Sequence, residues 1–115
     1  MILRVSMKVR DPRHVAAVLA EIVDRPAVPA GAGWVIASTQ GPDLAILERP
    51  EGAPSSSDSG ISLATPLTIA EVFAIAGREG WPARHRRPPG TSGVIELLLE
   101  GDSRIDVLTA EMQGA

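Results

Sequence analysis

The chain has 115 residues, 44% of them hydrophobic, and a net charge of −3. That length suits one globular domain, and the acidic balance argues against a nucleic-acid partner. The absence of cysteine excludes disulfides and thiolate chemistry. There is no 18-residue apolar run, and the N-terminal residues alternate charge with apolar side chains, unlike a secretory leader. A cytoplasmic protein with no membrane partner is expected, its core mostly aliphatic because aromatics make up only 3%.

In chain order, Leu3, Val5, Met7 and Val9 alternate with Arg4, Ser6, Lys8 and Arg10, the period of a half-buried strand. Asp11-Pro12 then opens a helix, with Asp as N-cap, Pro in the first turn and Val15, Val18, Leu19 and Ile22 as its apolar stripe. Residues 26–33, rich in Pro, Ala and Gly, read as a loop. Residues 33–40 read as a strand, 41–43 as a turn and 44–48 as the returning strand. Residues 50–60 lack bulky apolar side chains and read as a flexible connector within the domain.

A second strand–helix unit follows. Ile61, Leu63 and Thr65 alternate with Ser62 and Ala64, and Thr68 with Glu71 forms a capping box. Ile69, Val72, Phe73 and Ala76 make the expected stripe, and Gly80 followed by Trp81-Pro82 stops the helix. Residues 83–89 are basic and read as a weak edge strand. Residues 94–100 form a strong strand, 101–103 a turn, 104–109 the last strand and 110–115 a tail.

The two halves superpose. Val5 matches Ile61 and the Gly41 turn matches the Gly101 turn, so an internal duplication is expected. The fold class is α+β: two tandem βαββ(β) modules, residues 1–49 and 61–109, forming a cupped, mostly antiparallel sheet with two helices outside.

Face parity nominates site residues. A loop at 101–103 would pair Glu100 with Arg104 and Leu98 with Asp106. Ile95, Leu97, Leu99, Ile105 and Val107 then share an apolar face, opposite Glu96, Leu98, Arg104, Asp106 and Leu108. The same construction groups Trp34, Ile36, Ser38, Leu44, Ile46 and Glu48, opposite Val35, Ala37, Ala45 and Leu47. Arg4, Ser6 and Lys8 oppose the buried stripe of the first strand.

The duplicated pattern resembles the vicinal oxygen chelate superfamily of glyoxalases, extradiol dioxygenases and bleomycin-resistance proteins. The likeness is carried by residues 4–11, RVSMKVRD, by residues 60–66 as the second opening strand, and by residues 101–108, GDSRIDVL, as the closing turn and strand. The resemblance implies a cavity lined by the face away from the helices, hence the candidate ligand-binding residues Arg4, Ser6, Trp34, Ile36, Ile46, Glu96, Leu98 and Asp106. It also implies a frequent homodimer. The family's metal positions, carried over, fall on Arg4, Ile46, Gly60 and Asp106, of which only Asp106 is a ligand type. No metal and no cofactor are therefore expected.

An ion pair of Arg4 with Asp106 or Glu96 in place of a metal is one expectation; a solvated Arg4 is the plain alternative. Trp34 is suited to stacking on a planar ligand or to filling the core. Neither His14 nor His85 has a partner at metal-ligand spacing; His85, within Arg84-His-Arg-Arg87, is suited to meeting an anion, with a solvated edge strand as the plainer reading. The leading reading is a metal-free protein that binds a small organic molecule. The alternative is a metal-independent or differently metallated enzyme with Arg4 as electrophile and Glu96 or Asp106 as base. A third reading takes residues 67–77 as the start of a helix-turn-helix regulator, against which Pro82 falls where the recognition helix would run.

Overall fold

Alternation sets the first strand, β1 (Arg4–Val9), with Met7 and Val9 buried and Ser6 and Lys8 exposed. The structure, a computed structural model, describes residues 4–37, 43–50, 61–87, 89, 93–101 and 103–109, with Arg4 described in its backbone only. The Asp11 carboxylate accepts a hydrogen bond from the His14 N–H at 3.3 Å, capping α1 (Pro12–Val23). Val15, Val18, Leu19 and Ile22 are buried as the helical period requires, together with Ala16. Asp24, in the left-handed conformation at φ 56°, ends the helix.

The loop expected at 26–33 is in fact a strand and a tight turn. β2 (Ala27–Ala30) pairs antiparallel with β3 (Gly33–Ile36), and Gly31 at φ +58° starts the two-residue connection. β2 lies at the sheet edge, where Pro29 can sit without breaking an interior ladder. β4 (Asp43–Glu48) pairs antiparallel with β3 and parallel with β1, which sets the order β1-β4-β3-β2. Helix α1 packs on β3 and β4.

The second module repeats this order. β5 (Ser62–Ala64), α2 (Ile69–Glu79), β6 (Ala83–Arg86), β7 (Val94–Leu99) and β8 (Ser103–Leu108) give a sheet ordered β5-β8-β7-β6, with only the β5–β8 pair parallel. The duplication is therefore real, and the fold class is α+β with two mixed four-stranded sheets and two helices. The chain divides into two compact units between Pro54 and Ser55. That boundary falls within the expected connector, of which residues 51–60 lie outside the described residues, as do 38–42 and the tail at 110–115.

Thr68 and Glu71 form the expected capping box: Thr68 Oγ1 accepts from the Glu71 N–H at 3.2 Å, and Glu71 Oε1 accepts from the Thr68 N–H at 3.0 Å. Thr68→Ala is expected to lower stability by about 1 kcal/mol, the usual cost of a lost N-cap, measured as a shift in urea midpoint at unchanged slope. The stripe of α2 differs from expectation. Val72, Ile75 and Ala76 are buried while Ile69 and Phe73 are only half-buried. Gly80 at φ 71° caps the helix, and buried Trp81 donates its backbone N–H to the Ala76 carbonyl at 2.9 Å.

Two registers correct the expected ones. Leu98 faces Arg104, Glu96 faces Asp106 and Leu99 faces Ser103. The turn thus begins one residue earlier than expected, at Glu100, which takes φ 57°. The shift is by two residues, so the expected division of faces survives and Leu98 simply loses Asp106 as its partner. In the first module, Trp34 pairs with Ile46 and Ile36 with Leu44. Parallel pairing of Ser6 with Ala45 and Met7 with Ile46 then fixes the face of β1.

Candidate functional site

The strand period sends alternate side chains of β6, β7 and β8 to the face opposite the aliphatic one. The aliphatic face carries Ile95, Leu97, Leu99, Ile105 and Val107, all buried. Pairing of Arg84 with Glu96, and of Glu96 with Asp106, places these three on the other face in a row across the strands. Arg86, two residues along β6, and Arg104, two residues along β8, share that face.

Charges there are matched closely. Glu96, with a side chain only 10% exposed, lies at the centre. The Arg84 Nη2–H donates to Glu96 Oε2 at 2.7 Å. Arg86 Nε lies 2.6 Å from Glu96 Oε1, an ionic contact in which the N–H is not aimed at the oxygen. Arg104 Nη1 is 3.8 Å from the same oxygen, and Arg86 Nη2 is 3.9 Å from Asp106 Oδ2. The hydrogen bond from Arg84 holds the Glu96 carboxyl below its usual pKa. Burial opposes this, and the charges of Arg84, Arg86 and Arg104 reinforce it. Asp106 Oδ1 is buried and accepts no hydrogen bond among the described residues.

Beside this network is a pocket of about 380 Å³, lined by Pro82, Ala83, Arg84, Glu96, Leu98 and Arg104. The β6 ladder forms its rim, continued by the Leu98 N–H donating to the Pro82 carbonyl at 2.9 Å. Glu96 and Leu98, both expected from the sequence, line it, and Asp106 lies on the same face. Arg84, Arg86 and Arg104 join this site although they are not among the candidate ligand-binding residues expected from the sequence. Arg104 is placed on this face by turn parity, whereas the signal for Arg84 and Arg86 is the basic run at 83–89 in an edge strand, whose register on β7 no local pattern supplies.

The other candidates do not come together on one surface. Trp34, Ile36 and Ile46 share a face with Met7 and Val9, whereas Ser6 and the Arg4 position share the opposite face with Ala45 and Val35. Ile36 and Ile46 are buried on the side that also buries Met7, Val9 and Leu44, and Trp34 is half-buried there. Expecting all five on one ligand face is thus corrected by the parallel β1–β4 register. His14 is exposed, and His85 is half-buried on the aliphatic side of β6, opposite Ile95.

Burial also resets the correspondence between modules. The Trp34–Ile46 pair, on the side that buries Ile46, matches the Ile95–Val107 pair, 61 residues on, rather than the offset that the Gly41 and Gly101 turns suggest. The counterpart of Asp106 is therefore Ala45, not Ile46; that of Glu96 is Val35, and that of Arg84 is Val28. Among the described residues, no three His, Asp or Glu side chains cluster so as to hold a metal ion. No described helix is long and apolar enough to cross a membrane.

Comparison with protein-family models finds no match for the sequence, and comparison with curated proteins finds none either. Solved structures do match. A glyoxalase/bleomycin resistance protein/dioxygenase superfamily member from Sphaerobacter thermophilus is similar at TM-score 0.67 and 12% identity, over 95% of this chain and 96% of that one. TnmS3, an antibiotic binding protein from a Streptomyces species, matches at TM-score 0.65 and 16% identity, over 95% and 94%. The fosfomycin resistance protein FosX from Listeria monocytogenes, complexed with Mn(II) and sulfate, matches at 0.66 and 13%, over 93% and 87%. With its repeated β1-β4-β3-β2 sheet order, the chain has the glyoxalase/bleomycin resistance/dioxygenase superfamily fold, the one the vicinal oxygen chelate resemblance implies.

Proposed function

We propose that the protein binds a small organic molecule at the Arg84–Glu96–Leu98–Arg104 pocket of its second module, without a metal centre. The observation that carries this reading is a concave site in which apolar walls adjoin a fixed, charged floor, the usual composition of a small-molecule pocket. Structural neighbours that include an antibiotic binding protein and fosfomycin resistance proteins support small organic ligands on this fold.

The residues at the family's metal positions do not fit a divalent cation. Alanine at 45 and glycine at 60 offer no side-chain donor, and Arg4 is cationic. Asp106 alone is a ligand type, and it lies near Arg86 and directly across from Glu96. Binding is favoured over proton transfer by Glu96, because both its oxygens are engaged by guanidinium groups and its pKa is lowered. A carboxylate so held is a weak base. Residues after α2 form Gly80 and β6 rather than a second helix, so no helix-turn-helix is built there.

A thermal-shift screen of small organic compounds tests the reading. A compound at 100 times its Kd adds about 2.7 kcal/mol to the native state, raising Tm by several degrees. Hits are expected to keep their shifts in EDTA and to lose them in an Arg84→Gln, Leu98→Asp double variant. Hits that vanish on chelation, or that ignore the double variant, would show the ligand to be held elsewhere or by a metal.

A further inference from the structure

We propose that this pocket selects organic oxyanions carried on an apolar body, with the Arg84 guanidinium as the group that recognises the anion. The inference rests on the binding reading and adds the ligand's charge. Three guanidiniums, from Arg84, Arg86 and Arg104, meet two carboxylates, from Glu96 and Asp106, on one sheet face. Among the described residues of that face, basic side chains outnumber acidic ones, in a chain whose net charge is −3.

Arg84 is the member positioned to use it. Its side chain is 73% exposed and lines the pocket, yet one end is fixed by the 2.7 Å hydrogen bond to Glu96. Guanidinium carries five N–H groups in a planar fork, and this contact uses one of them. With the side chain largely exposed, the remaining donors are open to a ligand, and the contact to Glu96 restrains the fork, which lowers the entropy cost of pairing with a planar carboxylate or a phosphonate. Glu96 cannot repel such a ligand fully, since Arg86 and Arg104 also neutralise it. Pro82, Ala83 and Leu98 supply apolar wall beside the guanidinium, so a bare inorganic anion would leave part of the site unfilled.

The first module lacks the equivalent. Val28, Val35 and Ala45 stand where Arg84, Glu96 and Asp106 stand in the second. The duplication therefore yields one oxyanion site per chain, not two.

Isothermal titration with four probes tests this: 2-naphthoate, 2-naphthylphosphonate, the neutral 2-naphthamide, and inorganic phosphate. The two naphthyl anions are expected to bind one per chain, at least about tenfold tighter than the amide, and to weaken as salt is raised. Phosphate alone is expected to bind most weakly. Arg84→Gln should cost the naphthyl anions about tenfold or more, the scale of a charge-assisted hydrogen bond, and should cost the neutral amide clearly less. Glu96→Gln removes the competing charge and should tighten the anions severalfold. Circular dichroism confirms that each variant is folded. Equal binding of acid and amide, with indifference to Arg84→Gln, overturns anion selection and leaves small-molecule binding standing. Failure of every naphthyl probe overturns the inference, and failure of the compound screen as well overturns both. A preference between naphthoate and phosphonate identifies which oxyanion geometry the fork fits.

Discussion

Gly33→Ala is expected to lower the free energy of unfolding by at least about 3 kcal/mol, beyond the usual range for overpacking. A Cβ at this position would collide with the Ile46 carbonyl oxygen and lie 2.8 Å from Leu47 Cδ2. The leucine methyl can swing away. The carbonyl cannot, because it belongs to β4, which is held between β3 and β1 by ladders on both sides. Relief requires parting β3 from β4 at the Trp34–Ile46 pair, and Ile46 is fully buried. A whole domain is typically stable by about 5–15 kcal/mol, so this one methyl group removes a large share. Gly31→Ala is the control. Its Cβ would meet nothing within 4 Å, and the cost is confined to the left-handed backbone at φ +58°, about 1 kcal/mol. Urea midpoints of the two variants should differ accordingly, and equal midpoints would show that β3 and β4 do not approach each other at this register.

That clash marks a boundary in what the sequence makes legible. Helices were readable in detail because their signals are local: Asp11-Pro12, the Thr68–Glu71 box and Gly80 each act within one turn. Strong strands were readable by alternation, and the duplication followed from their order. β2 is hidden because AVPA is short, built of small residues without polar alternation, and contains a proline, and only its edge position makes that composition workable. The Gly31-Ala32 dipeptide, with Gly at the first turn position, was the available hairpin signal. The charged floor was half legible. Turn parity correctly grouped Glu96, Leu98, Arg104 and Asp106, since a two-residue register error leaves every side chain on its own face. Parity cannot link β1 to a hairpin it joins only through a distant parallel pairing, so nothing in the sequence alone shows that Arg4 and Ser6 share a face with Val35 and Ala45 instead of Trp34, Ile36 and Ile46. Likewise nothing local reveals that the basic run at 83–89 docks its arginines onto Glu96.

The weight of that docking is tested by Glu96→Lys, expected to cost about 3 kcal/mol, against Glu96→Gln, expected to cost about 1 kcal/mol or less. The difference follows from exposure. Arg84, Arg86 and Arg104 are 73%, 41% and 32% exposed, so they can turn to water when Glu96 merely becomes neutral. A lysine has no such relief, because its ammonium would sit at a position only 10% exposed, among three guanidiniums. Wild type and Glu96→Gln should also differ in acid. Arg84 and its neighbours lower the Glu96 pKa from its usual 4.5, so the unfolded state takes up this proton first as pH falls. The stabilisation is therefore complete above about pH 4.5 and is lost as pH falls through the lower, folded value. Melting temperatures of the two proteins should be furthest apart at neutral pH and converge in strong acid. A gap that does not change with pH would mean the ionised form of Glu96 contributes nothing. The loss should begin at β6, an edge strand held on one side only by β7, where Arg84 and Arg86 make their contacts. Hydrogen exchange of the β6 amides should accelerate in Glu96→Lys before that of β7 and β8, since the central strands keep the aliphatic face of Ile95, Leu97 and Val107.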